Sequence, residues 1–141
     1  MRERSEASNL AWFEVEAGSR REPIATVAVT MPSGEEQVGT SSGDGPIDAI
    51  FHAIQKATGS EAELRQYNVE AVTGGDDALG EVTVMLRAAG RLATGQGVAT
   101  DILEASARAY VRALSNAIEG AATREAEAAT ADALAERTPG P

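Results

Sequence analysis

From residue 24 to residue 31 the chain alternates. Val27 and Val29 stand between small or polar neighbours, the period of a strand with one buried face. A strand is also predicted over 10–17, where Trp12, Phe13 and Val15 are β-formers, with Gly18 to Pro23 as the turn that follows. After Pro32-Ser33-Gly34 a third strand is expected over 35–41. Then the period changes. Ile47, Ile50, Phe51 and Ile54 fall on one face at helical spacing, so a helix is expected over 46–58. Pro46 suits the first helical position because the N–H it lacks has no partner there, and Gly59 ends the segment.

The order then begins again. Strands are predicted over 64–72, with Tyr67, Val69 and Val72, and over 81–86, with Val82 and Val84 alternating against Thr83. Ala88-Ala89-Gly90 turns the chain into a weaker strand over 91–98, and a helix follows over 100–118. Asp101, with Glu104 three residues on, offers a capping box at its start. Phe13-Glu14-Val15-Glu16-Ala17 aligns with Tyr67-Asn68-Val69-Glu70-Ala71, and the elements after each run come in the same order. We read an internal duplication, against the alternative of chance similarity between short apolar strands. The expected fold class is α+β: two pseudo-twofold-related β-β-β-α units packed as a pair, since neither can bury its sheet alone. Residues 1–9 read as a polar lead-in and 10–120 as the domain, with repeats at 10–59 and 64–120. Residues 121–141, rich in alanine and glutamate, read as a helical or disordered tail outside the core.

Composition narrows the function. The chain has 141 residues, too few for a catalytic barrel of about 250. Its apolar fraction of 43% is heavy in alanine and light in aromatics, so the core is thin and a second copy would help it. A net charge of −10 argues against nucleic acid and anionic membrane as partners, because phosphate binding needs lysine and arginine. There is no cysteine, hence no disulfide, thiolate metal site or cysteine nucleophile. No run approaches the roughly 18 apolar residues of a membrane span, and no apolar signal core follows the charged start. A cytoplasmic location is expected.

Three glycine-rich segments are candidates for binding. Gly43-Asp44-Gly45-Pro46 leads into a helix, whose start offers N–H groups and a positive dipole end to an anion; the plain reading is a strand-to-helix turn. Thr73-Gly74-Gly75-Asp76-Asp77 places two carboxylates on a loop between strands, suited to an ammonium group; the plain reading is an exposed hairpin. It lacks the Gly-Lys-Ser/Thr of a phosphate loop, and a strand rather than a helix follows, so it is not a dinucleotide fingerprint. Gly95-Gln96-Gly97-Val98-Ala99-Thr100-Asp101 is the second-half counterpart of the first segment. Catalytic signatures are absent from the sequence. His52 is the sole histidine and reads as a packed or half-exposed helix residue rather than a base. No catalytic residue, metal ligand or cofactor is expected.

Three segments carry a resemblance: Gly43 to Ala49, Val69 to Val82, and Thr100 to Tyr110. In order and spacing they resemble the C-terminal regulatory domain of 2-isopropylmalate synthases, over roughly residues 10–118. The resemblance implies a paired β-β-β-α fold that forms a homodimer and binds leucine at the dimer interface. Leucine there inhibits acetyl-CoA-dependent condensation on a catalytic barrel, an acyltransferase activity this chain would not perform alone. The barrel would be attached in cis or met in trans. Carried over by position, Gly43, Asp44, Gly45, Pro46 and Ile47 would contact the effector. Tyr67 and Ala71 would shape the side-chain pocket, Gly74, Asp76 and Ala78 would close it, and Val98 and Thr100 would join from the second half. N–H groups at the helix start would hold the α-carboxylate, and Asp44 or Asp76 the α-ammonium. Ile47, Ala71 and Val98 suit a branched aliphatic side chain. A citramalate synthase regulatory domain with isoleucine as effector is the neighbouring alternative, since one methyl position is worth only about 1–3 kcal/mol of discrimination. A dimerisation module without ligand, and a small phosphate-binding enzyme, are alternatives of other classes.

Overall fold

The computed structural model describes residues 7–72 and 79–137, giving only the helical backbone from 121 onward. β1 (Asn9–Gly18), β2 (Arg21–Thr30) and β3 (Glu36–Ser42) form an antiparallel sheet in that order, followed by α1 (Pro46–Thr58). β4 (Glu63–Val72), β5 (Leu79–Ala88) and β6 (Arg91–Ala99) form a second sheet of the same order, followed by α2 (Ile102–Arg137). The fold is α+β, two β-β-β-α units.

The duplication holds row by row. Phe13 pairs with Val27 and Val27 with Gly39; in the second sheet Tyr67 pairs with Val84 and Val84 with Gly95. The next rows are Val15–Ala25–Ser41 and Val69–Val82–Gly97. Paired residues share a face, so these rows define the side of each sheet that meets the helices. On that side Ala25, Val27 and Val29 of β2 and Val82, Val84 and Leu86 of β5 are fully buried. Each such valine or leucine contributes about 1.5–3 kcal/mol relative to exposure.

Glycine decides how closely the helices approach. A Cβ at Gly39 would collide with the backbone of Ala53 and Ala57, and one at Gly95 with the backbone of Ala109 and Ala113. Both third strands therefore present bare backbone to an alanine-lined helix face. The thin, alanine-rich core expected from composition takes this form.

Helix α1 spans the predicted 46–58. Pro46 occupies its first turn, and Gly59 closes it in the left-handed conformation at φ 66°. At α2 the Asp101 carboxylate accepts the Leu103 N–H at 2.9 Å. Glu104 turns instead toward Arg108, 3.6 Å away, so the cap rests on Asp101. The expected end at residue 118 is passed: the helix continues to Arg137. Alanine and glutamate have high helix propensity, and the next proline is Pro139.

The two units meet at an aromatic joint. Phe51 of α1 stacks on Tyr110 of α2, with centroids 4.3 Å apart and planes at 22°. It also meets Tyr67 of β4 edge-on at 5.9 Å. Gln55 donates to the Tyr110 hydroxyl at 2.9 Å. At the other end Ser8, inside the stretch read as a lead-in, is buried, and its N–H donates to the Ser115 hydroxyl at 2.9 Å.

Candidate functional site

The first candidate segment turns from β3 into α1. The Gly43 N–H donates to the Pro23 carbonyl at 3.2 Å, and a Cβ at Gly43 would collide with the backbone of Ala49. The loop is thus pressed onto the first helical turn, which glycine alone allows. Gly45 is extended, and its carbonyl accepts from the Ala49 N–H at 2.9 Å. Asp44 is exposed, and its N–H donates to the Asp48 carboxylate at 2.9 Å. That carboxylate lies 3.6 Å from His52 Nδ1. A carboxylate in the first turn suits the positive end of the helix dipole. Asp48 therefore already takes up part of the anion-attracting capacity of this helix start. Sequence reasoning passed over Asp48, although an acidic residue two positions after an N1 proline is a recognisable first-turn signal.

Tyr67 lies on the helix-facing side of β4, half-buried, with its hydroxyl 2.6 Å from that of Ser106 in α2. Either oxygen can be the donor. Ala71 is on the same face and exposed, paired with Gly80. Val69 lies between them and is 48% exposed. Its counterpart in repeat one, Val15, is half-buried.

The structure brings several of the expected site residues together. Ile47, half-buried, is one turn before Phe51, and Phe51 touches Tyr67, so the start of α1 and the middle of β4 share one region. Thr100 follows Ala99, which pairs with Gly80 beside Ala71, so Thr100 stands at the same end of the second sheet. A Cβ on Gly80 would meet Ile102 Cδ1 at 3.0 Å, which keeps that corner tight. Val98 is placed elsewhere. It pairs with Glu81 on the outer face, opposite to Tyr67 and Ala71, and is exposed. Gly74, Asp76 and Ala78 lie outside the described residues. His52 is exposed on α1 beside Asp48. Among the described residues no helix is long and apolar enough to cross a membrane.

Two copies of one β-β-β-α unit, joined through aromatic side chains and leaving one strand face open, define a duplicated α+β module. The chain belongs to the LeuA allosteric (dimerisation) domain family, whose model matches residues 1–118. It is 48% identical over 110 residues to a 2-isopropylmalate synthase of Carboxydothermus hydrogenoformans, covering 77% of this chain and 21% of that protein. A 2-isopropylmalate synthase of Thermus thermophilus is 50% identical over 108 residues, covering 77% of this chain and 32% of that protein. One from Chromobacterium violaceum is 53% identical over 92 residues, covering 65% and 18%. The chain thus spans between a fifth and a third of the first two relatives and slightly less of the third.

Proposed function

We propose that this chain is the effector-binding and dimerising module of a 2-isopropylmalate synthase, acting in the cytoplasm. On this reading two copies enclose leucine, and its binding inhibits a catalytic barrel in the same polypeptide or in a separate one. The observation that carries the proposal is the family match over residues 1–118, which spans both repeats. The open row Tyr67–Val69–Ala71 beside the start of α1 supports it, as a surface on which a small amphipathic ligand and a second copy can both settle.

The roles follow from chemistry. Ile47 and Ala71 form part of an aliphatic wall, and Gly43 to Ile47 set the backbone against the ligand. Asp48 holds the Asp44 N–H, so the acidic pair Asp44 and Asp48 biases this end toward the α-ammonium group. Val98 lies on the other face of its own sheet, and the proposal assigns it to the wall offered by the second copy. Asp76 is the second candidate for the ammonium group.

Calorimetry with leucine, isoleucine, valine and a nucleotide tests this, together with sedimentation equilibrium. Leucine binding by a dimer supports the proposal. Tighter isoleucine binding moves the chain to a citramalate synthase. A dimer that binds none of the amino acids is a dimerisation module alone, and nucleotide binding alone favours a phosphate-binding protein. If Asp44→Ala and Asp76→Ala both leave leucine affinity unchanged, the ammonium assignment is wrong.

A further inference from the structure

In repeat one a single carboxylate oxygen links the helix-entry loop to a histidine. Asp48 Oδ2 accepts the Asp44 N–H at 2.9 Å and lies 3.6 Å from His52 Nδ1. A proton on His52 therefore acts on the same atom that holds the loop. His52 is the sole histidine of the chain, and imidazole is the side chain that ordinarily changes charge between about pH 5 and 8. The contact is open to water: 49% of the His52 side chain and 41% of the Asp48 side chain are exposed, so the proton exchanges with the medium.

The second repeat shows what is particular here. Gly39 lies on Ala53 and Ala57 as Gly95 lies on Ala109 and Ala113, so Asp48 corresponds to Glu104 and His52 to Arg108. Glu104 and Arg108 stand at the same 3.6 Å, but their cation is permanent. There the Asp101 carboxylate caps the helix. In repeat one Gly45 has no side chain to cap with, and Asp48 supplies the side-chain bond between helix and loop. Both helices thus keep an acid–cation pair, and the cation is titratable in the repeat whose loop is assigned to the effector.

The charged surroundings do not hold His52 in one state. Lys56 and Glu61 line the groove beside it, with opposite signs. The helix-facing side of β3 offers Gln37 and Ser41, and that of β1 offers Phe13 and Val15. On β2 that side is apolar from Ala25 to Val29, and Arg21 at its start is engaged with Glu16 at 3.6 Å. From α2 the titratable group that meets α1 is the Tyr110 phenol, which burial keeps protonated through this range.

We infer that His52 is a positioning residue of the effector loop, acting through Asp48. When protonated it draws the Asp48 carboxylate to itself and loosens the Asp44 N–H. It also offsets the negative charge that attracts an α-ammonium group, so effector affinity falls as pH falls. The ligand rests on the leucine reading; the relay from His52 to Asp44 does not.

The test has two arms on the full chain. Without ligand, the Asp44 amide and the His52 imidazole are followed by NMR from about pH 7.5 to about pH 5.5. The amide is expected to shift with the midpoint of the imidazole, and to lose that step in His52→Gln. With leucine, calorimetry over the same range is expected to show affinity about threefold lower at the acid end. His52→Gln is expected to flatten this dependence. His52→Arg, which gives repeat one the permanent pair of repeat two, is expected to hold the affinity low throughout. An Asp44 amide without a step at the His52 midpoint overturns the relay. Leucine affinity that is flat in the parent, or whose pH dependence survives in His52→Gln, overturns its link to the effector. A chain that binds no leucine at any pH fails the leucine reading instead, and the amide arm then decides the relay alone.

Discussion

The hydroxyls of Tyr67 and Ser106 lie 2.6 Å apart, tying the first strand of repeat two to the buried face of its own helix. Ser106 is fully buried, so its hydroxyl depends on this partner. Tyr67→Phe leaves it unmatched. The expected loss is about 1–3 kcal/mol of unfolding free energy in urea, with Ser106→Ala in the Tyr67→Phe background restoring part of it. Additive losses in the double variant would show that the pair does not act together.

Gly95→Ala is the severe case. Its Cβ would meet the backbone of Ala109 and Ala113, which no rotamer change can clear. The expected cost is about 3 kcal/mol or more, seen as loss of the cooperative transition or a sharply lower midpoint. Gly18→Ala is the control, since nothing lies within 4 Å of its Cβ. It should stay within about 0.5 kcal/mol of the parent.

Removing the cap of α2 is milder. Asp101→Ala loses the bond to the Leu103 N–H, at an expected cost of about 1 kcal/mol, whereas Asp101→Asn keeps most of it. Thermal unfolding by circular dichroism measures the difference. Equal melting of the parent and Asp101→Ala would count against Asp101 as the cap.

Burial pushes the Tyr110 phenol above its ordinary value of 10.0, and the bond from Gln55 offsets this in part. The folded state therefore holds the proton more tightly than the unfolded chain. This stabilisation is fully present below pH 10, and it is lost as pH rises past 10 and through the higher folded value. Urea midpoints measured from pH 8 to pH 11 should fall, and Tyr110→Phe should fall less steeply. Identical slopes in the two proteins would contradict the assignment.

Much of this was legible in the residues. Alternation placed β2, β4 and β5, and helical spacing between Pro46 and Gly59 gave the bounds of α1. The third strands read weakly for a physical reason. Gly39, Gly95 and Gly97 lower strand propensity because helices lie on their backbone, a long-range fact that local pattern does not carry. The candidate site was legible in part. The resemblance names Val98 beside Ala71, and the pairing of Val98 with Glu81 on the outer face of its sheet, while Gly97 lies against α2, came only with the structure. Phe51 read as core, but its contact with both Tyr67 and Tyr110 joins positions 16 and 59 residues away and left no trace in spacing.

The glycine–alanine seams have a mechanical consequence. Where backbone lies directly on backbone there are no rotamers to switch, so each sheet and its helix form a plate without internal slack. Between the two units the contact runs instead through side chains, at Phe51 with Tyr67 and Tyr110 and at Ser8 with Ser115.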